Sequence, residues 1–187
     1  MIGRGGGWQD QYAGIFGGVN LLTFEPGDGA LRRQPVLMSD ETRRELEEQL
    51  VVFHTGLPKF GVTTTLDRVL FRYLIRDPLL LGEMQAAKEE GRQMAWALER
   101  GELETLGRLL TRYWAHVKAV SPEPGNADMD RLLEAVAPLS VGAAPTHSAG
   151  GGFWVFLAKA GQRQALAERL TELSRAVGGR VVQHGLV

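Results

Sequence analysis

The chain has 187 residues, a formal net charge of −1 at pH 7, 44% hydrophobic residues and no cysteine. These values are typical of one globular domain and exclude disulfides, thiolate metal sites and a cysteine nucleophile. The charge gives no electrostatic basis for nucleic-acid binding, and no apolar run approaches the ~18 residues of a membrane span. Since the N-terminus also has no apolar signal region, we expect a cytoplasmic domain without nucleic-acid or membrane partners.

The first segment with a chemical signal is glycine-rich and places a carboxylate between two amides. Residues 5–12 have the sequence Gly-Gly-Gly-Trp-Gln-Asp-Gln-Tyr. Glycine lets the backbone approach a ligand closely, because it has no side chain and tolerates positive φ. The segment therefore suits an acid, Asp10, that meets a ligand. The alternative is that Asp10 only caps the helix that follows, a frequent role of aspartate.

Periodicity predicts a mixed N-terminal quarter. A glycine- and alanine-rich turn or short helix follows residue 12, and Ser39 caps a polar helical turn. Short apolar runs predict three strands, over residues 19–24, 31–38 and 50–53. The first two would form a hairpin, and the third would be buried and end at Thr55-Gly56.

The centre of the chain is predicted to be helical and the C-terminus mixed. Apolar residues repeat at helical spacing in three segments, 66–74, 84–98 and 103–117. After them we predict a short helix over 128–136, a glycine-rich turn, a strand over 153–158, a helix over 162–177 and a closing strand over 181–183. This order indicates an α+β fold. The aromatic residues Trp96, Trp114 and Trp154 are expected in the core.

Three segments resemble the GHMP family of small-molecule kinases, which includes galactokinase and the homoserine, mevalonate and phosphomevalonate kinases. The segment around Asp10 resembles the one that carries the family's catalytic aspartate, in the form found in the L-fucokinase and heptose-7-phosphate kinase branch. Residues 52–59 resemble that branch's strand ending in Tyr-Thr-Gly before a basic residue. Residues 148–157 resemble its third motif, a glycine-rich turn entering an apolar strand. The matches follow the family's order and span nearly the whole chain.

The resemblance implies a domain arrangement. Residues 49–187 would form the C-terminal domain of such a kinase, an α+β fold with a ferredoxin-like sheet and several helices. Residues 1–48 would be a remnant of the N-terminal domain with the catalytic-aspartate segment. The family's main ATP-holding loop, Gly-x-Gly-x-x-Ser-Ser at a helix N-terminus, has no match in the sequence. We therefore expect the N-terminal ATP-loop domain to be largely absent, as in a fragment, a mis-started reading frame or one half of a split kinase, and the chain alone to be inactive or nearly so.

The resemblance also implies a reaction, in which ATP with Mg²⁺ phosphorylates a sugar hydroxyl. Asp10 would be the catalytic base beside the acceptor oxygen. The substrate would be bound by Trp8, Gln9, Gln11 and Lys59. Core packing for the tryptophan, structural hydrogen bonds for the amides and a solvated surface lysine are the alternatives for these four.

The glycine-rich turn before residue 153 would lie near the nucleotide phosphates, through Gly150, Gly151 and Gly152. Tight packing or a flexible hairpin is the alternative, because a glycine run is a weak signal. The turn departs from the branch's pattern, since His147 and Ala149 stand where glycines are expected. No two histidines have metal-ligand spacing, so we predict no metal site apart from nucleotide-borne Mg²⁺.

A second function class remains open from the sequence. The domain could keep the kinase fold without catalysis and serve as a binding or assembly module. In either case the partners expected are a small-molecule sugar and either a separate N-terminal kinase half or a second copy. Either of these two polypeptides would dock on the apolar surface that the absence of the N-terminal domain is expected to leave exposed.

Overall fold

The computed structural model describes residues 9–25, 27, 29–57, 62–121, 126–146, 152–183 and 185. Within these ranges the chain is α+β. The helices are α1 (Gln9–Phe16), α2 (Asp40–Gln49), α3 (Val62–Leu74), α4 (Pro78–Glu99), α5 (Leu103–Val120), α6 (Asn126–Val136) and α7 (Arg163–Ser174). The strands are β1 (Asn20–Glu25), β2 (Ala30–Pro35), β3 (Leu50–His54), β4 (Ser140–Pro145), β5 (Phe153–Ala158) and β6 (Arg180–Val182). None of the helices in the described part combines the length and apolarity needed to span a bilayer.

The strands form two sheets. β1 and β2 make an antiparallel hairpin, and the other four strands form a sheet in the order β4-β5-β3-β6 with antiparallel neighbours throughout. The chain path β3-helices-β4-β5-α7-β6 is the ferredoxin-like βαββαβ arrangement, with α3 to α6 in its first crossover. The predicted α+β fold with a ferredoxin-like sheet is therefore confirmed.

The main core lies between one face of the four-stranded sheet and helices α5, α6 and α7. Phe53, Trp154 and Phe156 point to this face and are fully buried. Trp154 and Phe156 share the face because alternate residues of a strand point to the same side. The indole of Trp114 in α5 meets that of Trp154 edge to face, with ring centroids 4.7 Å apart. Both tryptophans are thus in the core, as predicted, whereas Trp96 is 47% exposed and the same prediction is wrong for it.

Strand β4 was not predicted from the sequence. Its residues, Ser-Val-Gly-Ala-Ala-Pro, include little of the β-branched and aromatic content that marks a strand. The structure gives the reason, since β4 packs closely against α5. A Cβ on Gly142 would overlap the carbonyl oxygen of Gly107, and a Cβ on Gly107 would lie 2.5 Å from Cγ1 of Val141. Contact at backbone distance requires small residues, and small residues hide the strand signal.

Arg72 joins the ends of three helices. From the last turn of α3, its Nε lies 2.7 Å from Oδ2 of Asp77, and its Nη1 donates to the carbonyls of Ala119 and Val120 at 3.2 and 3.0 Å. Asp77 in turn caps α4 by accepting from the backbone N–H of Leu79 at 3.0 Å. The bond from Arg72 lowers the pKa of Asp77 below its ordinary value. One guanidinium therefore terminates α5 and holds the residue that begins α4.

Helix α3 leaves most of its described side chains in solvent. Its large exposed apolar residues, with the turn after it, are Leu70, Phe71, Tyr73, Leu74 and Ile75. The sequence predicted an amphipathic helix packed on the core. The described part of α3 departs from that prediction, because apolar residues occur on several of its sides.

A line of charges connects α4 and α5. Glu90 is almost fully buried, and its Oε1 lies 2.8 Å from Nε of Arg112 and 3.3 Å from Nε2 of His116. Both approaches are off the direction of a hydrogen bond, so the attraction is one of charge. The other imidazole nitrogen, Nδ1, lies 2.5 Å from Oε2 of Glu83. This bond to Glu83 is the main cause that raises the pKa of His116.

The raised pKa predicts a stability that depends on pH. Protonated His116 is favoured in the folded state, so its contribution is complete below its ordinary pKa of about 6.5 and is lost as pH rises through the raised value. We expect the free energy of unfolding, measured in urea, to fall over this interval. Glu83→Ala should flatten the decline, whereas Glu89→Ala, on the same helix but bonded to Arg92 and Gln93, should leave it intact. An unchanged decline in Glu83→Ala would contradict the assignment.

The contact between α5 and β4 predicts opposite effects for two glycine substitutions. Gly142→Ala forces a Cβ into the backbone of Gly107, so we expect it to lower the free energy of unfolding by about 1–3 kcal/mol or more. Gly91→Ala, within α4, meets no atom within 4 Å and should stabilise by up to about 1 kcal/mol. Urea denaturation of both variants and the parent checks this. Equal stability of the two would show that α5 and β4 are not in close contact.

Candidate functional site

The predicted catalytic residue, Asp10, lies in α1, whose backbone is described while the Asp10 side chain is not. Of the described side chains of α1, only Tyr12 is half-buried, and Ile15 and Phe16 are 74% and 50% exposed. A helix of eight residues is not stable in water by itself, since isolated helices need about 12–15 residues. The predicted amides Gln9 and Gln11 are exposed on the same helix.

The hairpin ties α1 to the rest of the chain. The guanidinium of Arg33 in β2 lies 4.5 Å from the ring centroid of Phe16, and its Nη1 donates to Oδ1 of Asn20 at 2.8 Å. Nδ2 of Asn20 in turn donates to the carbonyl of Gly17, just after α1. On the other side of the hairpin, Leu21 packs against a core cluster that includes residues of α4 and α5. The hairpin is therefore anchored on one face, while Phe24 is 62% exposed.

The second and third predicted motifs meet in space at one junction. Thr55, just after β3, is buried, and its backbone N–H donates to the carbonyl of Gly152 at 2.9 Å. The backbone N–H groups of Gly152 and Leu57 both donate to Oγ1 of Thr55, at 3.0 and 3.2 Å. Gly152, at φ +93°, enters β5 directly from the glycine-rich turn. Hydrogen bonds in both directions thus lock the end of β3 to the start of β5.

The turn after Thr55 is fixed on its other side as well. Gly56 has φ +73°, and a Cβ there would overlap the carbonyl oxygen of Val177, so only glycine fits. The N–H of Gly56 donates to Nδ1 of His54 at 3.3 Å. Because Nδ1 accepts, the neutral imidazole of His54 carries its proton on Nε2.

A cleft of about 260 Å³ opens beside this junction, between the turn, α6 and α7. Its lining is mainly apolar, with Leu57, Met129, Leu132, Leu173 and Val177. The hydroxyl of Ser174 donates to a carbonyl of its own helix, and Oγ1 of Thr55 accepts two backbone N–H groups. The two charged lining residues, Asp128 and Arg131, pair with each other, so the cleft suits an apolar group better than a phosphate.

The remaining predicted site residues lie outside the described part of the chain: Trp8, Lys59, Gly150 and Gly151. Their roles stay predictions, as do those of Asp10, Gln9 and Gln11. Among the predicted set the structure brings Gly152 together with the Thr55-Gly56 motif. The role of the Thr55 side chain was not predicted from the sequence. A hydroxyl directly after a buried apolar strand, followed by an obligatory glycine, is the signal that marks it.

No family model matches the chain, but individual proteins do. It is 33% identical over 174 residues to the bifunctional fucokinase/GDP-fucose pyrophosphorylase of Arabidopsis thaliana. This alignment covers 92% of this chain and 16% of that protein. It is 26% identical over 155 residues to the D-glycero-alpha-D-manno-heptose 7-phosphate kinase of Campylobacter jejuni, covering 83% and 44% of the two chains. The crystal structure of L. major mevalonate kinase superposes with a TM-score of 0.73 at 17% identity, covering 96% of this chain and 52% of that one.

The structural similarity defines the fold of the chain. The fold is the one found in small-molecule kinases, and the chain spans at most about half of the length of the three proteins just compared. Two sequence relatives are sugar kinases by name and the structural neighbours are GHMP-family kinases, so the chain is similar to part of a GHMP-type kinase.

The junction predicts a specific loss of stability. Thr55→Val keeps the shape but removes the acceptor of the Gly152 and Leu57 N–H groups, and leaving a buried N–H unpaired costs about 1–3 kcal/mol. Thr55→Ser keeps the oxygen and should lose much less. Amide hydrogen exchange of Gly152 reports the bond directly. Protection of this amide that is as strong in Thr55→Val as in the parent would refute the junction.

Proposed function

We propose that the chain provides the sugar-binding and catalytic-base part of an ATP-dependent sugar kinase, most similar to fucokinase. It would act with a polypeptide that supplies the ATP-phosphate loop, with Mg²⁺ arriving on the nucleotide. The γ-phosphate of ATP would pass to a sugar hydroxyl whose proton is accepted by Asp10. Residues 1–48 would belong to the N-terminal kinase domain and residues 49–187 to the C-terminal one.

The exposure of α1 is the observation that supports a second polypeptide. A catalytic base must be held against the acceptor oxygen within hydrogen-bond distance. The helix that carries Asp10 presents Ile15 and Phe16 to solvent, and the neighbouring hairpin presents Phe24. Burying the exposed part of these three side chains would fix the helix and stabilise the complex, each by less than the about 1.5–3 kcal/mol that full burial of a large side chain contributes.

The test is reconstitution of activity. The chain is co-expressed with the coding segment directly upstream or, where that segment has no Gly-x-Gly-x-x-Ser-Ser loop, with the N-terminal half of the Campylobacter relative. ADP release is then measured with L-fucose and with a heptose phosphate. We expect turnover from the pair and almost none from either part. Turnover by this chain alone, at the rate of the pair, would contradict the need for a second part.

Substitution of the predicted base tests the mechanism. Asp10→Asn in the reconstituted pair should lower kcat about 10²–10⁴-fold, the usual contribution of a general base, with little change in KM for ATP. Asp40→Asn, in the first turn of α2, is the matched control and should retain kcat. If the two variants turn over equally, Asp10 is not the base.

The alternative function is a non-catalytic binding or assembly module derived from a GHMP kinase. His147 and Ala149, which stand where the branch's third motif has glycines, favour it. In this case the pair would form with the same affinity for Asp10→Asn as for the parent, and neither pair would release ADP.

A further inference from the structure

The second face of the four-stranded sheet changes from covered to open along the strands. Leu157 of β5 points to this face and is fully buried among residues of α4 and α5. Val155, two residues earlier, is half-buried, and Phe153, two earlier again, is 47% exposed. The open end of the face is the end at which β5 leaves the Thr55–Gly152 junction.

Three side chains of different chemistry stand in a row across this open end. His54 of β3 pairs with Phe153 of β5 on one side and with Arg180 of β6 on the other. Paired residues of antiparallel strands lie on the same face, and neighbouring strands are about 4.8 Å apart. The row, Arg180–His54–Phe153, therefore spans about 10 Å.

Each member of the row has a group available for a ligand. The tautomer set by Gly56 leaves Nε2–H of His54 as a donor. The ring of Phe153 meets the imidazole edge to face, with centroids 4.9 Å apart, and keeps exposed surface. Arg180 is exposed, and within the described ranges no carboxylate pairs with it.

The surface next to the row is apolar. One pleat along the strands, Val182, Val52 and Val155 pair in a second row on the same face, and all three are half-buried. A ligand on this face thus meets a cation at one end of the row, an N–H donor in the middle, an aromatic ring at the other end and an apolar surface beside all three.

We propose that the row binds a phosphate carried by a ring, as in a sugar phosphate or a nucleotide. Guanidinium and imidazole N–H groups are suited to phosphate oxygens, and an exposed aromatic ring packs against a sugar or base. The separation of Arg180 from Phe153 matches a phosphate joined to one ring. The inference goes beyond the proposed function, because none of the three residues is in the predicted catalytic or substrate-binding set.

Binding to the chain alone tests the proposal. ¹⁵N-labelled protein is titrated at low salt with L-fucose 1-phosphate, ATP, inorganic phosphate and L-fucose. We expect L-fucose 1-phosphate or ATP to bind at least tenfold more tightly than inorganic phosphate or L-fucose, with shifts at the three residues of the row. Whichever of the two binds more tightly identifies the source of the phosphate.

Substitutions then separate the contributions of the row. Arg180→Ala should weaken the tighter ligand at least tenfold, and Phe153→Leu should weaken it without affecting inorganic phosphate. Arg175→Ala removes an exposed arginine elsewhere in this part of the chain and should bind as the parent does. His54→Gln, which keeps an N–H donor, should bind more tightly than His54→Phe. Amide spectra of all variants verify the fold.

Several outcomes would overturn the site. These are binding of inorganic phosphate as tight as that of both ring-bearing ligands, retention of affinity in Arg180→Ala, or shifts confined to other surfaces. Since no turnover is required, the result is independent of the kinase assay. A reconstituted kinase with no binding at the row would refute only this inference, and binding at the row by a chain that never becomes active would refute only the proposed function.

Discussion

The exchange of hydrogen bonds between Thr55 and Gly152 is the constraint on which the arrangement of the candidate surfaces depends. It fixes the end of the central strand β3 against the start of β5. The turn that follows can then accommodate only glycine at position 56, and that turn sets the tautomer of His54. The apolar cleft and the row on the open face both begin at this point. A shift of one residue in the register would move every side chain of the strand to the opposite face.

The molecule combines this buried junction with a helix, α1, whose described side chains are mostly exposed. Core side chains around Phe53 and Trp154 are fully buried, so the sheet is held by packing on one whole face. Helix α1 is linked to the hairpin through Arg33 and Asn20. Ile15 and Phe16 on this helix remain exposed.

The sequence predicted the fold class and most elements because their signals are local. Apolar periodicity was sufficient for α4, α5 and β5. Strand β4 was missed because its residues are small. They have to be small because the backbone of Gly107 on α5, which is distant in sequence, approaches the strand closely. For the site, the resemblance to the kinase family indicated Gly152 and the Thr-Gly motif, since a glycine run by itself is a weak signal. The pairing of Arg180 with His54 and Phe153 depends on strand order, which periodicity does not contain.

The position of β3 at the centre of the sheet has a consequence for the order of folding. Thr55 bonds to a residue 97 positions later, and the strand's other neighbour, β6, comes later still. During synthesis β3 therefore emerges long before either partner exists. The α4–α5 pair is local and is able to form in the interval, whereas the sheet has to wait until nearly all of the chain is available. Such non-local pairing is the slow part of folding. An apolar strand that waits unpaired also exposes this chain to association with other chains while it is being made.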